Sequence, residues 1–342
     1  MNHSLFPAWR LPFTLAAGSV WLLGCSTADT QERQEEQPDR PAAEYFLSSE
    51  NTHNRFSRTI PPLLRVPSGA VIEVLTKEAS DQQMSPTSTV EDISNMDGSL
   101  VHPLTGPVYV EGAEPGDILA VTLIELELLG WGWTMVRQGG GFVPEVATEP
   151  FLRTFQIDKE LGQVRFSDTI WIPLQPFPGV MGVAPDTDEM LRTIPPRANG
   201  GNMDNKYMTE GTIVYFPVFV EGALFSIGDT HAVQGDGEVS GTAIEAPMRI
   251  VYQVDVIKGG RKISEPQYEN SEYYAVTAFA TTIDEAARKA TRFMVDYLVE
   301  EYQLEPVEAY SLCSLAGDLK ISEVASPNVL VSMHMPKNLF HQ

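Results

Sequence analysis

The stretch Gly200–Glu245, GGNMDNKYMTEGTIVYFPVFVEGALFSIGDTHAVQGDGEVSGTAIE, decides how the rest of the chain is read. Two loops rich in Gly, Asp and Asn, GGNMD (200–204) and GDTHAVQGDGE (228–238), flank an apolar segment of strand character. Glycines at strand ends let the backbone take positive φ and let acidic side chains approach one another. Asp204, Asp229, His231, Asp236 and Glu238 are therefore expected to gather at the ends of short strands. Carboxylates converging on one imidazole form the donor set of a divalent cation. Zn²⁺ suits carboxylate plus imidazole, and Ca²⁺ is the alternative for the oxygens. The stretch is read as an active site.

Outward from it, the signals are those of β structure. Val71–Leu75, Ile118–Leu128 and Met248–Ile257 carry β-branched residues, with clear alternation in the last. Turn chemistry such as Glu114-Pro115-Gly116-Asp117 separates the runs. Gly130–Gly141 (GWGWTMVRQGGG) reads as a long loop whose Trp131 and Trp133 are either a pocket wall or core aromatics. Helix appears late. Thr282-Ile283-Asp284-Glu285 is a capping box, followed by Ala286, Ala290, Met294 and Leu298 on one face. A shorter helix is predicted over Val307–Leu315, closed by Gly317. The expected architecture is mainly β, with a β-sandwich or barrel-like body (44–265) and a small α+β unit at the C-terminus (266–342).

Residues 1–25 read as a targeting segment. An apolar run from Leu11 ends in Leu22-Leu23-Gly24-Cys25, which resembles a bacterial lipobox, with Cys25 the lipidated residue. Residues 26–43 (STADTQERQEEQPDRPAA) have no apolar periodicity and read as a flexible tether. Ser26 after the cysteine points to outer-membrane sorting, so the expected location is extracytoplasmic, with the membrane touched only through the lipid. Lipidation of Cys25 leaves Cys313 unpaired, because the 342 residues contain only two cysteines. Cys313 has no adjacent His or Lys in sequence, and a buried apolar role is expected of it. The net charge of -23 repels phosphate backbones, which excludes a nucleic-acid partner, and it favours neutral or cationic small ligands.

Four segments carry a resemblance to a known family: Pro103–Asp117 (PLTGPVYVEGAEPGD), Pro176–Pro185 (PFPGVMGVAP), Gly200–Asp204, and Val218–Glu238 with its GALFSIGDTHAVQGDGE core. In this order they resemble the acetamidase/formamidase family, whose members hydrolyse small aliphatic amides to carboxylate and ammonia. The resemblance runs from about residue 65 to the C-terminus. It implies a β-sandwich-like and barrel-like body with a small α+β domain, and a tendency to form homo-oligomers.

Amide hydrolysis needs a polarised carbonyl, an activated water and a protonated leaving nitrogen. Asp229 and His231, one residue apart, share a face of an extended strand and are expected metal ligands, with Asp204 the third. Glu238 is the expected general base and acid, and Asp236 and Glu245 are alternates for any of these roles. Asn202 either closes an Asx-turn or holds the substrate oxyanion; His102 either lines the pocket or sits in a turn. His53, His334 and His341 have no supporting context. A different class of function is a non-enzymatic lipoprotein, with acidic loops holding a structural Ca²⁺ and the Trp loop binding a sugar-like ligand.

Overall fold

The structure, a computed structural model, describes residues 41–341; Cys25 and residues 26–40 of the tether lie outside the described residues. Two sheets face each other. The first has nine strands in the order Tyr45–Leu47, Val71–Leu75, Met248–Ile257, Ile118–Leu128, Ile213–Pro217, Gln267–Glu269, Tyr273–Ala280, Val329–Pro336 and Asp318–Glu323. The second runs Gly200–Asn202, Phe177–Gly182, Phe225–His231, Leu104–Val110 and Thr52–His53, with Leu64–Val66 parallel to Leu104–Val110. Between them lies one core. Ile72, Leu119, Val121, Ile250 and Tyr252 of the first sheet pack against Val108, Met181, Phe225 and Ile227 of the second. Phe225 ties the layers together, its ring 5.6 Å from Phe216 and 5.4 Å from Tyr252. Each such side chain contributes about 1.5–3 kcal/mol through removal from water. The body is a β-sandwich, as the patterning requires.

The long central strands follow their sequence signals. Met248–Ile257 pairs antiparallel with Val71–Leu75 on one side and Ile118–Leu128 on the other, and Arg249 on it reaches Glu73, Glu125 and Glu127. Phe225–His231 is buried at every position and lies inside its sheet, between Phe177–Gly182 and Leu104–Val110.

The C-terminal segment adds helix and extends the larger sheet. Thr282 caps the helix Ile283–Tyr302, its Oγ1 accepting from the Glu285 N–H at 3.3 Å. Gln303 ends the helix in a left-handed conformation, ahead of Pro306. Pro306 opens the next helix, Pro306–Ala316. Ala286, Ala290, Met294 and Leu298 pack on Val276, Ala278, Val331 and Met333 of the sheet. Cys313 is buried in this second core, where desolvation pushes its thiol up to about 11. A nucleophile needs the opposite shift. Among the described residues, no helix is long and apolar enough to cross a membrane.

One element differs from the sequence expectation. Trp131–Val136 is a strand rather than a loop, paired antiparallel with Phe151–Gln156. Its four neighbouring glycines suggested a loop, yet a cross-strand partner and a backbone bridge from Trp133 to Glu245 override that local signal.

Candidate active site

The end of Phe225–His231 brings Asp229 to a cavity of about 420 Å³, with His231 buried behind it. Backbone bridges from Glu245 to both His231 and Trp133 place a third ligand-type side chain beside them. His231 Nε2 lies 3.1 Å from Glu245 Oε2 and 3.7 Å from Asp229 Oδ1. Asp204 enters from the GGNMD loop, its N–H donating to the Gly179 carbonyl at 3.1 Å, and Glu238 enters from GDGE. His102 Nδ1 lies 3.6 Å from Asp229 Oδ2, and Asn202 lines the same cavity. Asp236 stands apart on the surface, paired with Lys206 at 3.1 Å and accepting from the Tyr207 hydroxyl at 2.9 Å.

The acids are brought together at a conformational cost. Asp204 (φ 42°), Asp229 (φ 51°) and Glu238 (φ 42°) all take positive φ themselves, in addition to Gly200, Gly201 and Gly237. Each such non-glycine residue stores roughly 1–3 kcal/mol of strain, held in place by the surrounding packing. Gly179 makes the approach feasible. A Cβ there would stand 2.7 Å from Asp204 Oδ1, 2.7 Å from His231 Cε1 and 2.8 Å from the Asp229 carbonyl.

Gln234 fixes the histidine. Its Nε2 donates to the carbonyls of Asp204 (2.7 Å) and Ser322 (3.3 Å), which turns its Oε1 toward His231 Nδ1 at 3.0 Å. That oxygen only accepts, so Nδ1 carries the hydrogen and Nε2 faces the acids. Trp133 is buried in the cavity wall, its indole N–H donating to Glu78 at 2.7 Å. Glu78 in turn accepts from Ser80 and Gln82.

Charge is concentrated here. Burial works against a charged imidazole, but Glu245 and Asp229 outweigh it and hold the His231 pKa well above the usual histidine value. Burial, then the charges of Glu238 and Asp229, push Asp204 well up. Glu238 is pushed well up by burial, against the pull of His231 and with the added repulsion of Glu245 and Asp229. Burial raises Glu245 to about 7, again against His231. Asp229 goes the other way, because His102 and His231 overcome its burial. Burial also lowers the pKa of His102.

A further acid comes from the C-terminal unit. Glu323 is fully buried, lines the cavity and has one carboxylate oxygen without a partner. Burial raises it to about 7. Its strand meets the GDGE loop through Gly237 N–H to Ser322 O (3.2 Å) and Val324 N–H to Gly237 O (3.0 Å). Sequence gave no local signal for Glu323. Gln234 did carry one, three residues after His231, although its neutral side chain did not mark it as a site residue.

The residues fit a divalent ion. Asp204 Oδ1, Asp229 Oδ1, His231 Nε2 and Glu245 Oε2 are buried polar atoms with no hydrogen-bond partner. Such orphans ordinarily cost about 1–3 kcal/mol each. Two overlapping triads, Asp204–His231–Glu238 and Asp229–His231–Glu245, place one ligand atom per residue within 4.8 Å of one another. Asn202 Nδ2 donates one hydrogen to Asp204 Oδ2, and its Oδ1 has no partner. That oxygen is an acceptor only, while Nδ2 keeps a second hydrogen to donate.

Comparison with known proteins places this constellation. The sequence matches the profile of the Acetamidase/Formamidase family over residues 39–191 and 187–342. It is 30% identical over 269 residues to a protein named acetamidase from Mycolicibacterium smegmatis, covering 61% of this chain and 66% of that protein, just under two thirds. A protein named formamidase from Methylophilus methylotrophus is 28% identical over 282 residues, 64% of this chain and 68% of its own length. The crystal structure of an acetamidase from Bacillus halodurans superposes with a TM-score of 0.82 at 32% identity, covering 86% of this chain and 98% of that one. On the family match across nearly the whole described chain, and on a shared fold, the protein belongs to the acetamidase/formamidase family.

Proposed function

We propose that the protein is an amidase that hydrolyses linear primary amides to carboxylate and ammonia, with a divalent ion, Zn²⁺ in preference to Ca²⁺, held by Asp229, His231 and Glu245. The observation that carries this is the set of orphaned atoms facing one another on those three residues. An imidazole with two carboxylates favours Zn²⁺. Such an ion supplies Lewis acidity and makes water nucleophilic at neutral pH. This assignment takes Glu245 in place of Asp204 as the third ligand, on the 3.1 Å approach of its Oε2 to His231 Nε2; Asp204 Oδ1, likewise orphaned, belongs to the other triad.

The remaining side chains divide the other tasks. Gln234 keeps His231 in the tautomer whose Nε2 can act as a ligand. Asn202 Oδ1 accepts from the substrate N–H₂ and orients the amide. Glu238, whose pKa burial holds well up, is the acid that delivers a proton to the departing nitrogen. Trp133, anchored by Glu78, closes the wall against water. Leu22-Leu23-Gly24-Cys25 supports display on a lipid anchor, and mass spectrometry of the mature N-terminus tests it.

The test combines metal content with turnover. Ammonia release from formamide and acetamide is measured on the purified protein before and after exhaustive chelation. Glu245→Gln should lose both metal and activity; Glu238→Gln should keep the metal and lose turnover. Release that persists after metal removal would sink the metal assignment.

A further inference from the structure

The cavity is far larger than acetamide. At about 420 Å³ it falls in the range that encloses ligands of drug size, whereas acetamide has four heavy atoms. One wall is laid out along the strand Trp131–Val136. Trp133, Met135 and Arg137 alternate along the chain, share a side, and all line the cavity. Trp133 is bonded to Glu245 through two backbone hydrogen bonds, so this wall starts at the acid–histidine centre. Four residues on, Arg137 lies about 13 Å away along the strand. Between them Met135, with Met96 and Val101 nearby, gives an apolar surface.

The far end is cationic. The Arg137 guanidinium makes no hydrogen bond or ion pair among the described residues, although the chain has twice as many acidic as basic side chains. Arg192 also lines the cavity, and among the described residues its guanidinium has only the Gly98 carbonyl as partner, at 3.0 Å from Nη2. Arg137 Nη1 approaches the same Gly98, 4.0 Å from where a Cβ there would stand. Two guanidinium groups thus flank one glycine at the cavity rim, with no carboxylate against either. Guanidinium forks are matched by carboxylates.

We infer that the preferred substrates are primary amides whose acyl chain ends in a carboxylate, the monoamides of linear dicarboxylic acids. The inference rests on the amidase function proposed above and names its substrate class. Because ammonia is the leaving group, nitrogen bears no substituent, and the anion must lie on the acyl side. Water adds to the amide carbon, the C–N bond breaks, and nitrogen departs with the added proton; the products are the dicarboxylate and ammonium. The chain's overall negative charge thus says little about the substrate's sign, because the rim carries the local charge that a tail would meet.

The experiment compares pairs of equal length: monoamides of the four-, five- and six-carbon dicarboxylic acids against uncharged carboxamides of the same chain length, with acetamide as the reference. The expected kcat/KM ratio of charged to neutral is about ten-fold or more for the best length, the low end of two charge-assisted contacts discounted for exposure. The ratio should fall toward one in the Arg137→Gln/Arg192→Gln double variant, and Arg137→Lys should keep part of it. Reading a ratio within each protein removes any effect of a substitution on folding or metal content. A wild-type ratio at or below one, with acetamide still hydrolysed, would overturn the inference and leave the amidase function standing. A ratio that survives in the double variant would overturn the arginine assignment. No ammonia from any amide would overturn both.

Discussion

Gly179 offers the sharpest test of the site's geometry, because one methyl group there would meet three parts of it at once. The added Cβ would stand 2.7 Å from Asp204 Oδ1, 2.7 Å from His231 Cε1 and 2.8 Å from the Asp229 carbonyl. Ordinary contact begins near ~3.5 Å, so each neighbour must retreat by about 0.7 Å. Metal coordination tolerates about 0.2 Å, and a misplacement on the order of 1 Å can cost ~100-fold in rate. Overpacking of this kind costs about 1–3 kcal/mol of stability, which a domain of this size survives. Gly179→Ala is therefore expected to unfold cooperatively at a modestly lower temperature, while kcat/KM on acetamide falls about 100-fold and bound metal drops. Gly235→Ala is the control. It lies in the loop that carries Gln234 and Glu238, takes no positive φ, and has nothing within 4 Å of an added Cβ. Melting curves, metal content and ammonia release on the two variants settle the matter. A Gly179→Ala protein with wild-type activity and metal content would refute the claim that Asp204, Asp229 and His231 form one tightly set site.

Three further substitutions follow from the same geometry. Gln234→Met removes the acceptor from His231 Nδ1 and the donor to two carbonyls, so metal affinity should fall about 10–100-fold, read by competition with a chromogenic chelator. Glu323→Gln should stabilise the metal-free protein at pH 8 by about 3 kcal/mol and have little effect near pH 4.5, while lowering turnover. Here the folded pKa is raised from 4.5 to about 7, so native stability is lost as pH climbs through that window, and denaturant titrations at the two pH values give the sign. His334 is 5% exposed, accepts from or donates to the Tyr268 hydroxyl at 2.6 Å, and is lowered to about 4, chiefly by burial. Its contribution is present above pH 6.5 and lost as pH falls toward 4; in His334→Gln the stability drop between pH 7 and 5 should shrink by roughly 2 kcal/mol.

What the sequence disclosed depended on how far apart the cooperating residues lie. The capping box at Thr282 and the alternation of Met248–Ile257 are local, and the helix and strand form where those signals stand. Asp229, His231 and Glu238 lie within ten residues, and their convergence was legible from a strand end followed by GDGE. Trp131–Val136 was not. Its glycines imitate a loop, and the partners that make it a strand are Phe151–Gln156 and Glu245, the latter 112 residues from Trp133. Gly179 was part of a recognisable segment, PFPGVMG, yet nothing in that string tells which glycine must lie bare against an acid and a histidine. Glu323 had no signal at all, since it reaches the cavity only through a bridge between Gly237 and the C-terminal strand.

That bridge explains why an α+β appendage belongs to the chemistry and not just to the fold. The GDGE loop holds Glu238 at φ 42°, a conformation it would relax from if it were free. Gly237 is clamped on both sides, its N–H by Ser322 and its carbonyl by Val324, and Gln234 is held by the same Ser322 carbonyl. The strand that supplies those groups is bonded to Val329–Pro336, and the two helices pack on the latter through the second core. Burial of Ala286, Met294 and Leu298 therefore stabilises, at a distance, a loop that would otherwise pull Glu238 away from Asp204 and loosen the tautomer lock on His231. The strain at Asp204, Asp229 and Glu238 is sustained by two cores rather than one, and the C-terminal unit both completes the cavity wall with Glu323 and keeps the acids where amide hydrolysis needs them.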